Sequence, residues 1–247
     1  MQQYCEIQTP KGVMRGFFHV PQKEKFPVVI IFHGFTGCNT GTKFSYVQLS
    51  RMLESQGIGS IRMDFLGTGE SDLNFVDMTF DDELSCARLI LEEVKKLKQT
   101  SAIYVLGHSM GGAIASELAK LYPNDIQKMC LWAPAFNLPK AVDYLKGKQP
   151  EAFSYDHNGF EISHKFVEDI TSRDFYQNLE TYQNDLLIIH GTKDQTVPYE
   201  ISQEYLPKFK NPTFIPIEGA SHNYDSMESI REVLKQTYEF FIEETMQ

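Results

Sequence analysis

The pentapeptide Gly107-His108-Ser109-Met110-Gly111 constrains this chain more than any other stretch. Its G-x-S-x-G pattern puts a serine on a sharp turn between a strand and a helix, with the hydroxyl lifted clear of the backbone. The flanking sequence supplies that context. Ala102–Leu106 (AIYVL) is a short apolar run rich in β-formers, and Ala113–Leu121 has helical composition and spacing. The glycines are required because side chains two residues either side of the serine would collide with the turning backbone, and the serine itself sits in a strained conformation. As a bare turn the pentapeptide would mean little. Between a strand and a helix it reads as a nucleophile elbow, with Ser109 as nucleophile.

Around the elbow the chain alternates strands and helices. Tyr4–Gln8 and Val13–Val20, separated by Thr9-Pro10-Lys11-Gly12, read as an antiparallel hairpin at a sheet edge. Val28–Phe32 is a continuous apolar run, as expected where helices cover both faces of a parallel sheet. Helices are predicted near Phe44–Ser55, Asp82–Lys98 (capped by Thr79 or Asp81), Glu200–Leu206 and Ser226–Glu244. Further strands are predicted at Gly57–Met63, Ile126–Trp132, Leu186–His190 and Thr213–Glu218. This order implies an α/β fold with a mostly parallel central sheet flanked by helices on both faces. From Pro134 to about Asn184 the rhythm breaks: Pro139, Gly147, Pro150 and Gly159 interrupt it, and nine aromatics occur in the segment. An apolar insertion of this length reads as a cap or lid on a single domain spanning 1–247, the alternative being a surface helical hairpin without substrate contact.

Composition narrows the partners. A formal net charge of −10 argues against nucleic acid and anionic membranes, which demand a basic footprint. No apolar run approaches the ~20 residues that span a bilayer, so no membrane insertion is expected. Met1–Gln8 has neither a basic nor an apolar leader region. Cys5, Cys38, Cys86 and Cys130 are scattered without C-x-x-C pairing, which suits a reducing compartment, and the chain reads as cytoplasmic. A homodimer is compatible with this composition. Asp64-Phe65-Leu66-Gly67-Thr68-Gly69-Glu70-Ser71 resembles a phosphate loop superficially. It lacks the third glycine and the Gly-Lys-Ser/Thr ending, and its carboxylates would repel phosphate. No cluster at zinc spacing appears, so neither a metal nor a cofactor is expected.

Open α/β sheets bind ligands at the carboxyl ends of their strands, which places every glycine-bearing loop on one rim. A serine hydroxyl is a poor nucleophile at neutral pH and needs a base within reach and a group to orient that base. His222 follows the last predicted strand and is the best-placed histidine. His33 and His190 end strands directly before glycines and read as buried structural residues. His108 points away from the elbow, while His19, His157 and His164 lack supporting context. Asp194, four residues past His190 in a Gly-x-x-Asp turn, is the candidate orienting acid, with Glu218 and Asp225 in reserve. The developing oxyanion needs preorganised N–H donors. The backbone of Met110, after the nucleophile, and of Phe35, in the loop after the first apolar strand, would supply them.

Together, His33-Gly34-Phe35-Thr36-Gly37, Asp64-x-x-Gly67-x-Gly69-x-Ser71, Gly107-His108-Ser109-Met110-Gly111-Gly112, His190-Gly191-x-x-Asp194 and Ser221-His222 resemble the α/β-hydrolase superfamily along almost the whole chain. The order Ser109, Asp194, His222 is also that superfamily's. Within it, the H-G-F-T-G loop, the chain length and the insertion are similar to the small bacterial cinnamoyl (feruloyl) esterases. The resemblance implies a serine carboxylic-ester hydrolase acting on small esters of hydroxycinnamoyl type through an acyl-enzyme. The alternatives are a monoacylglycerol lipase, a short-chain carboxylesterase or thioesterase and, remotely, a catalytically silent binding scaffold. It also implies that the insertion grips the phenolic ring, with Asp143, Tyr144, Tyr155, Phe160 and Glu161 as candidate contacts.

Overall fold

The computed structural model describes residues 1–148, 153–210 and 212–243. Its strands are β1 (Gln2–Thr9), β2 (Gly12–His19), β3 (Phe26–Phe32), β4 (Gly59–Met63), β5 (Thr100–His108), β6 (Lys128–Trp132), β7 (Tyr155–His157), β8 (Phe160–Ile162), β9 (Asp185–Gly191) and β10 (Pro212–Ile217). Its α-helices are α1 (Ser45–Ser55), α2 (Phe80–Lys96), α3 (Met110–Leu121), α4 (Leu138–Lys148), α5 (His164–Thr171), α6 (Ile201–Tyr205) and α7 (Met227–Ile242). Eight strands form one sheet in the order β1-β2-β4-β3-β5-β6-β9-β10. The β1–β2 hairpin joins β4 antiparallel, and every pairing from β4 to β10 is parallel.

The continuous apolar runs form the middle of the sheet because both their faces are covered. In β3, Val28, Ile30 and Phe32 enter one core layer and Val29 and Ile31 the other. The same alternation separates Ile103 and Val105 from Tyr104 and Leu106 in β5. Helices α2 and α3 cover the first face, with Leu84, Ala87, Leu91, Ile114 and Leu118 in that layer. Helices α1 and α7 cover the second, through Leu49, Leu53, Val233, Leu234 and Phe241. Of the two caps considered for α2, Thr79 takes the role: its Oγ1 accepts the Asp82 N–H at 3.1 Å. Asp81 and Asp82 in the first turn and Lys95 and Lys96 in the last complement the helix dipole. The strand expected from Gly57 begins at Gly59, because Gly57 takes φ 80° to close the turn after α1.

Between β6 and β9 the chain leaves the sheet to form α4, the antiparallel β7–β8 ribbon and α5. Val142, Tyr155, Ile162, Phe166, Val167 and Ile170 belong to the same core layer as α2 and α3, so this segment packs on the body of the protein. Ser163 caps α5 by accepting the Phe166 N–H. Arg173 bridges Asp169 and Asp81, and Asp169 accepts the Asp81 N–H at 2.8 Å, fastening the end of α5 to the start of α2.

Candidate active site

Ser109 stands alone between β5 and α3 with φ 56° and ψ −121°, a conformation an L-residue holds only under constraint. The constraints are specific. Its N–H donates to the Trp132 carbonyl at 2.9 Å, and its own carbonyl accepts from Gly112 N at 2.9 Å and Ala135 N at 3.0 Å. A Cβ at Gly107 would lie 2.2 Å from the Gly111 oxygen, and one at Gly111 would lie 2.3 Å from the Phe32 oxygen and 2.5 Å from that of His33. These approaches also explain why the helix starts at Met110 rather than Ala113. Gly111 and Gly112 are poor helix formers, but Gly111 lets α3 sit directly on the end of β3 and Gly112 lets it pass close to Pro134.

The loop after β3 lies against Ser109: a Cβ on Gly34 would come within 3.0 Å of the Ser109 Cβ. The Gly34 carbonyl accepts from the Gly37 N–H at 3.0 Å and from His33 Nδ1 at 2.9 Å. His33 Nε2 in turn accepts from the Phe65 N–H at 3.2 Å, so the ring is neutral with its proton on Nδ1, and burial pushes its pKa down. A trans peptide has its C=O and N–H antiparallel, so fixing the Gly34 oxygen fixes the direction of the Phe35 N–H. Among the described residues, neither Phe35 N–H nor Met110 N–H has a hydrogen-bond acceptor.

Asp194, after β9, and His222, after β10, meet through a 2.7 Å hydrogen bond from Nδ1 to Oδ2. A carboxylate only accepts, so His222 carries its proton on Nδ1 and presents a lone pair at Nε2. Asp194 Oδ1 accepts the N–H groups of Thr196 and Val197, both at 2.9 Å, and His190 Nε2 lies 3.3 Å from Oδ2. Burial alone would raise the Asp194 pKa, but the His190, His222 and Val197 donors outweigh it and hold the carboxyl below the usual carboxylate range. The reserve acids are placed elsewhere: Glu218 is exposed, and Asp225 pairs with Lys43 at 2.6 Å and accepts the Ser221 hydroxyl. Ser109 and His222 share the rim without a mutual hydrogen bond. The His222 ring lies tilted against that of His108, the residue preceding the serine, with centroids 5.2 Å apart.

A cavity of about 130 Å³ opens beside Ser109. Its apolar wall is Phe35, Ala135, Leu138, Ala141, Val142, Leu145, Ile162, Phe166 and Val197, with Asn137, His157 and Thr196 as the polar side chains besides Ser109. A larger concavity of about 840 Å³, bounded by Lys128, Asp185 and Phe240, lies at the opposite ends of the strands and holds none of these groups.

The five residues expected to contact substrate from the insertion do not line the Ser109 cavity. Helical phase decides it for α4: Leu138, Ala141, Val142 and Leu145 face inward, which leaves Asp143 and Tyr144 exposed. Tyr155 is buried, with its hydroxyl 3.1 Å from His164 Nδ1. Phe160 rests on Phe75 with ring centres 4.8 Å apart, and Glu161 accepts the Ser154 hydroxyl at 2.6 Å. These three border a separate concavity formed by the β7–β8 ribbon. His157, given no role from sequence, is on the wall instead, its ring 5.7 Å from that of Phe35. The i, i+3, i+4, i+7 spacing of Leu138, Ala141, Val142 and Leu145 was the signal that could have found the α4 wall.

Among solved structures, Est1E from Butyrivibrio proteoclasticus with ferulic acid bound superposes with a TM-score of 0.90 at 26% identity, covering 98% of this chain and 100% of that one. Protein phosphatase methylesterase 1 of Candida albicans is 30% identical over 111 residues, 45% of this chain and 29% of that protein. Lysophosphatidylserine lipase ABHD12 of Xenopus tropicalis is 25% identical over 191 residues, 72% of this chain and 46% of that protein. The chain thus spans less than half the length of these two curated relatives. The profile of the serine aminopeptidase S33 family matches residues 23–152, more than half of the sequence. The chain therefore belongs to the serine aminopeptidase S33 family, within the α/β-hydrolase superfamily of serine hydrolases and esterases.

Proposed function

We propose that this protein hydrolyses small carboxylic esters through an acyl-enzyme on Ser109, and that its preferred acyl group is a single aromatic ring on a short arm, of hydroxycinnamoyl type. The observation that carries the reading is the apolar cavity of about 130 Å³ with Ser109 in its wall. An engineered apolar cavity of about 150 Å³ takes up benzene, so the space suits one ring and is too small for a long acyl chain. The ferulic acid bound to Est1E points the same way. In this reading the segment 134–184 is a cap on a single domain, contributing Leu138, Val142, Leu145, Ile162 and Phe166 to the ring site.

The chemistry follows from the site. Ser109 Oγ attacks the ester carbonyl carbon while His222 Nε2 takes its proton. The carbonyl oxygen becomes an oxyanion received by the Phe35 and Met110 N–H groups. Collapse expels the alcohol, protonated by His222, and leaves Ser109 acylated. Water then gives a proton to His222 and attacks the acyl carbon, and the proton returns to Ser109 as the acid departs. Asp194 fixes the His222 tautomer and stabilises its charged form. Among the described residues no helix is long and apolar enough to cross a membrane, and we place this chemistry in the cytoplasm on the cysteine pattern.

A short aliphatic acyl group is the second reading, favoured by how few polar side chains the cavity wall offers a phenolic hydroxyl. The deciding measurement compares kcat/KM for methyl ferulate, p-nitrophenyl butyrate and a monoacylglycerol, with Ser109→Ala as control. Turnover of methyl ferulate above the others is expected. No turnover of it removes the hydroxycinnamoyl reading, and undiminished activity in Ser109→Ala removes the whole mechanism.

A further inference from the structure

Four buried histidines stand at the ends of strands in the central sheet: His19 closes β2, His33 follows β3, His108 closes β5 and His190 is next to last in β9. His19 bonds Glu54 and Arg62, His33 bonds its neighbour Gly34 and the Phe65 N–H of the loop after β4, and His190 bonds Val197 and Tyr205 just beyond its own strand; none of these contacts reaches His222. His108 does something different. Its Nε2 lies 3.2 Å from the backbone carbonyl of His222, a residue 114 positions away, and its Nδ1 lies 3.2 Å from the Tyr46 hydroxyl.

A carbonyl can only accept, so Nε2 carries the proton and Nδ1 accepts from Tyr46. One tautomer of a neutral ring satisfies both contacts. Burial, reinforced by the neighbouring His222, pushes the His108 pKa down to about 3, so the ring stays neutral wherever His222 can act as a base. Trp132 and Tyr224 flank the ring, with centroids 5.9 Å and 6.2 Å away. No other described residue donates to the His222 carbonyl, whereas the adjoining loop has its own anchors in Lys193 N to Ala220 O and Tyr224 N to Ser221 O.

We propose that His108 is a positioning residue that holds His222 in register with the serine by hydrogen-bonding the His222 carbonyl. Ser109 is covalently next to His108, so a single side chain ties the strand bearing the nucleophile to the loop bearing the base. The inference rests on the reading of Ser109 as nucleophile and His222 as base. A purely space-filling ring would be replaced well by phenylalanine; a hydrogen-bonding one is replaced by glutamine, whose Nε2 can occupy the position of the imidazole Nε2.

The test compares wild type with His108→Phe, His108→Gln and Tyr46→Phe. It measures kcat and KM on p-nitrophenyl butyrate and the rate at which a fluorophosphonate labels Ser109, with thermal melting to establish that each variant is folded. A misplacement of about 1 Å costs on the order of 100-fold, so kcat and the labelling rate of His108→Phe should fall about 10- to 100-fold while KM stays within about twofold. His108→Gln should stay within about fivefold of wild type, and Tyr46→Phe, which releases the tautomer, should fall in the same direction by less. Wild-type rates in His108→Phe, or a folded His108→Gln as slow as His108→Phe, overturn the proposal. If His108→Phe does not fold, a loss in Tyr46→Phe with activity kept in His108→Gln supports it, and unchanged rates in Tyr46→Phe overturn it. A wild-type protein that takes up the phosphonate but hydrolyses no ester overturns the ester reading alone, and the labelling rates still decide the role of His108. Wild type that takes up none overturns both.

Discussion

Glu83 gives the sharpest test of the physics of this fold, because it has no part in the proposed chemistry. It sits in the first turn of α2, 1% exposed, and neither of its carboxylate oxygens has a hydrogen-bond partner. Burial, and next the charge of Asp82, raise its pKa well above the usual carboxylate value. A carboxylate removed from water without a partner takes up a proton rather than bear the desolvation cost. The folded state therefore holds a proton that the unfolded chain releases above about pH 4.3. Stability from this group is fully present below that pH and falls by about 1.4 kcal/mol for each further pH unit, until the folded-state group itself ionises. Glu83→Gln keeps the shape and abolishes the titration. Urea denaturation of both proteins at pH 4, 5, 6 and 7 should give nearly equal free energies at pH 4. The variant's advantage should reach about 1 kcal/mol at pH 5 and widen by about 1.4 kcal/mol per unit beyond it, to roughly 4 kcal/mol by pH 7, if the folded-state pKa lies above that. A difference independent of pH would refute the claim that Glu83 is held neutral.

Two further outcomes follow from the site. In Asp194→Asn, the Thr196 and Val197 N–H groups retain the amide oxygen, so the NH₂ must face His222 and drive its proton from Nδ1 to Nε2, where it cannot receive the serine's. Steady-state kinetics should show kcat lower by about 10⁴-fold with little change in thermal midpoint, and a loss under tenfold would contradict the role given to Asp194. Val142→Phe adds a ring to the wall beside Ser109. It should lower kcat/KM for methyl ferulate by about 10-fold or more while p-nitrophenyl acetate is nearly unaffected, and equal losses on both would show that the cavity does not hold the acyl group.

The sheet was legible because its strands are continuous apolar runs: Val28–Phe32 and Leu186–His190 could only be buried on both faces. The strained turn at Ser109 was legible because it demands glycines on either side, and Asp194 and His222, which the structure joins at 2.7 Å, were singled out at strand ends in the chain order that the resemblance implies. The wall of the cavity was not read in advance: Asp143 and Tyr144 were candidates through the resemblance alone, whereas the phase of α4 settles which residues turn toward the cavity. The β7–β8 ribbon is too short for a period-two pattern to register. Its one strong signal, Asn158-Gly159, marks a tight hairpin turn, and both residues have positive φ, 53° and 87°. Tertiary links such as His108 to His222 carry no local signature at all.

The way the insertion is rooted bears on how its specificity could vary. Ala135 lines the cavity and its N–H bonds the Ser109 carbonyl, while Ala133, at φ 42°, donates to the Ile189 carbonyl at 2.8 Å. The first residues of the insertion are thus part of what holds the strained serine in place, and a change there disturbs Ser109 as well as the pocket. The far end is held differently. The β7–β8 ribbon reaches the rim through rings: His157 lies against Phe35, and Phe160 against Phe75, which itself touches Phe35 at 5.2 Å. Aromatic contacts of this kind contribute about 0.5–1.5 kcal/mol each beyond their buried area and tolerate substitution by other rings. Residues 156–161, between the core residues Tyr155 and Ile162, can therefore change shape at modest cost to stability while the elbow stays fixed, which makes the tip of the ribbon, rather than the root at Ala133–Ala135, the place where, in the proposed reading, a different acyl group would be accommodated.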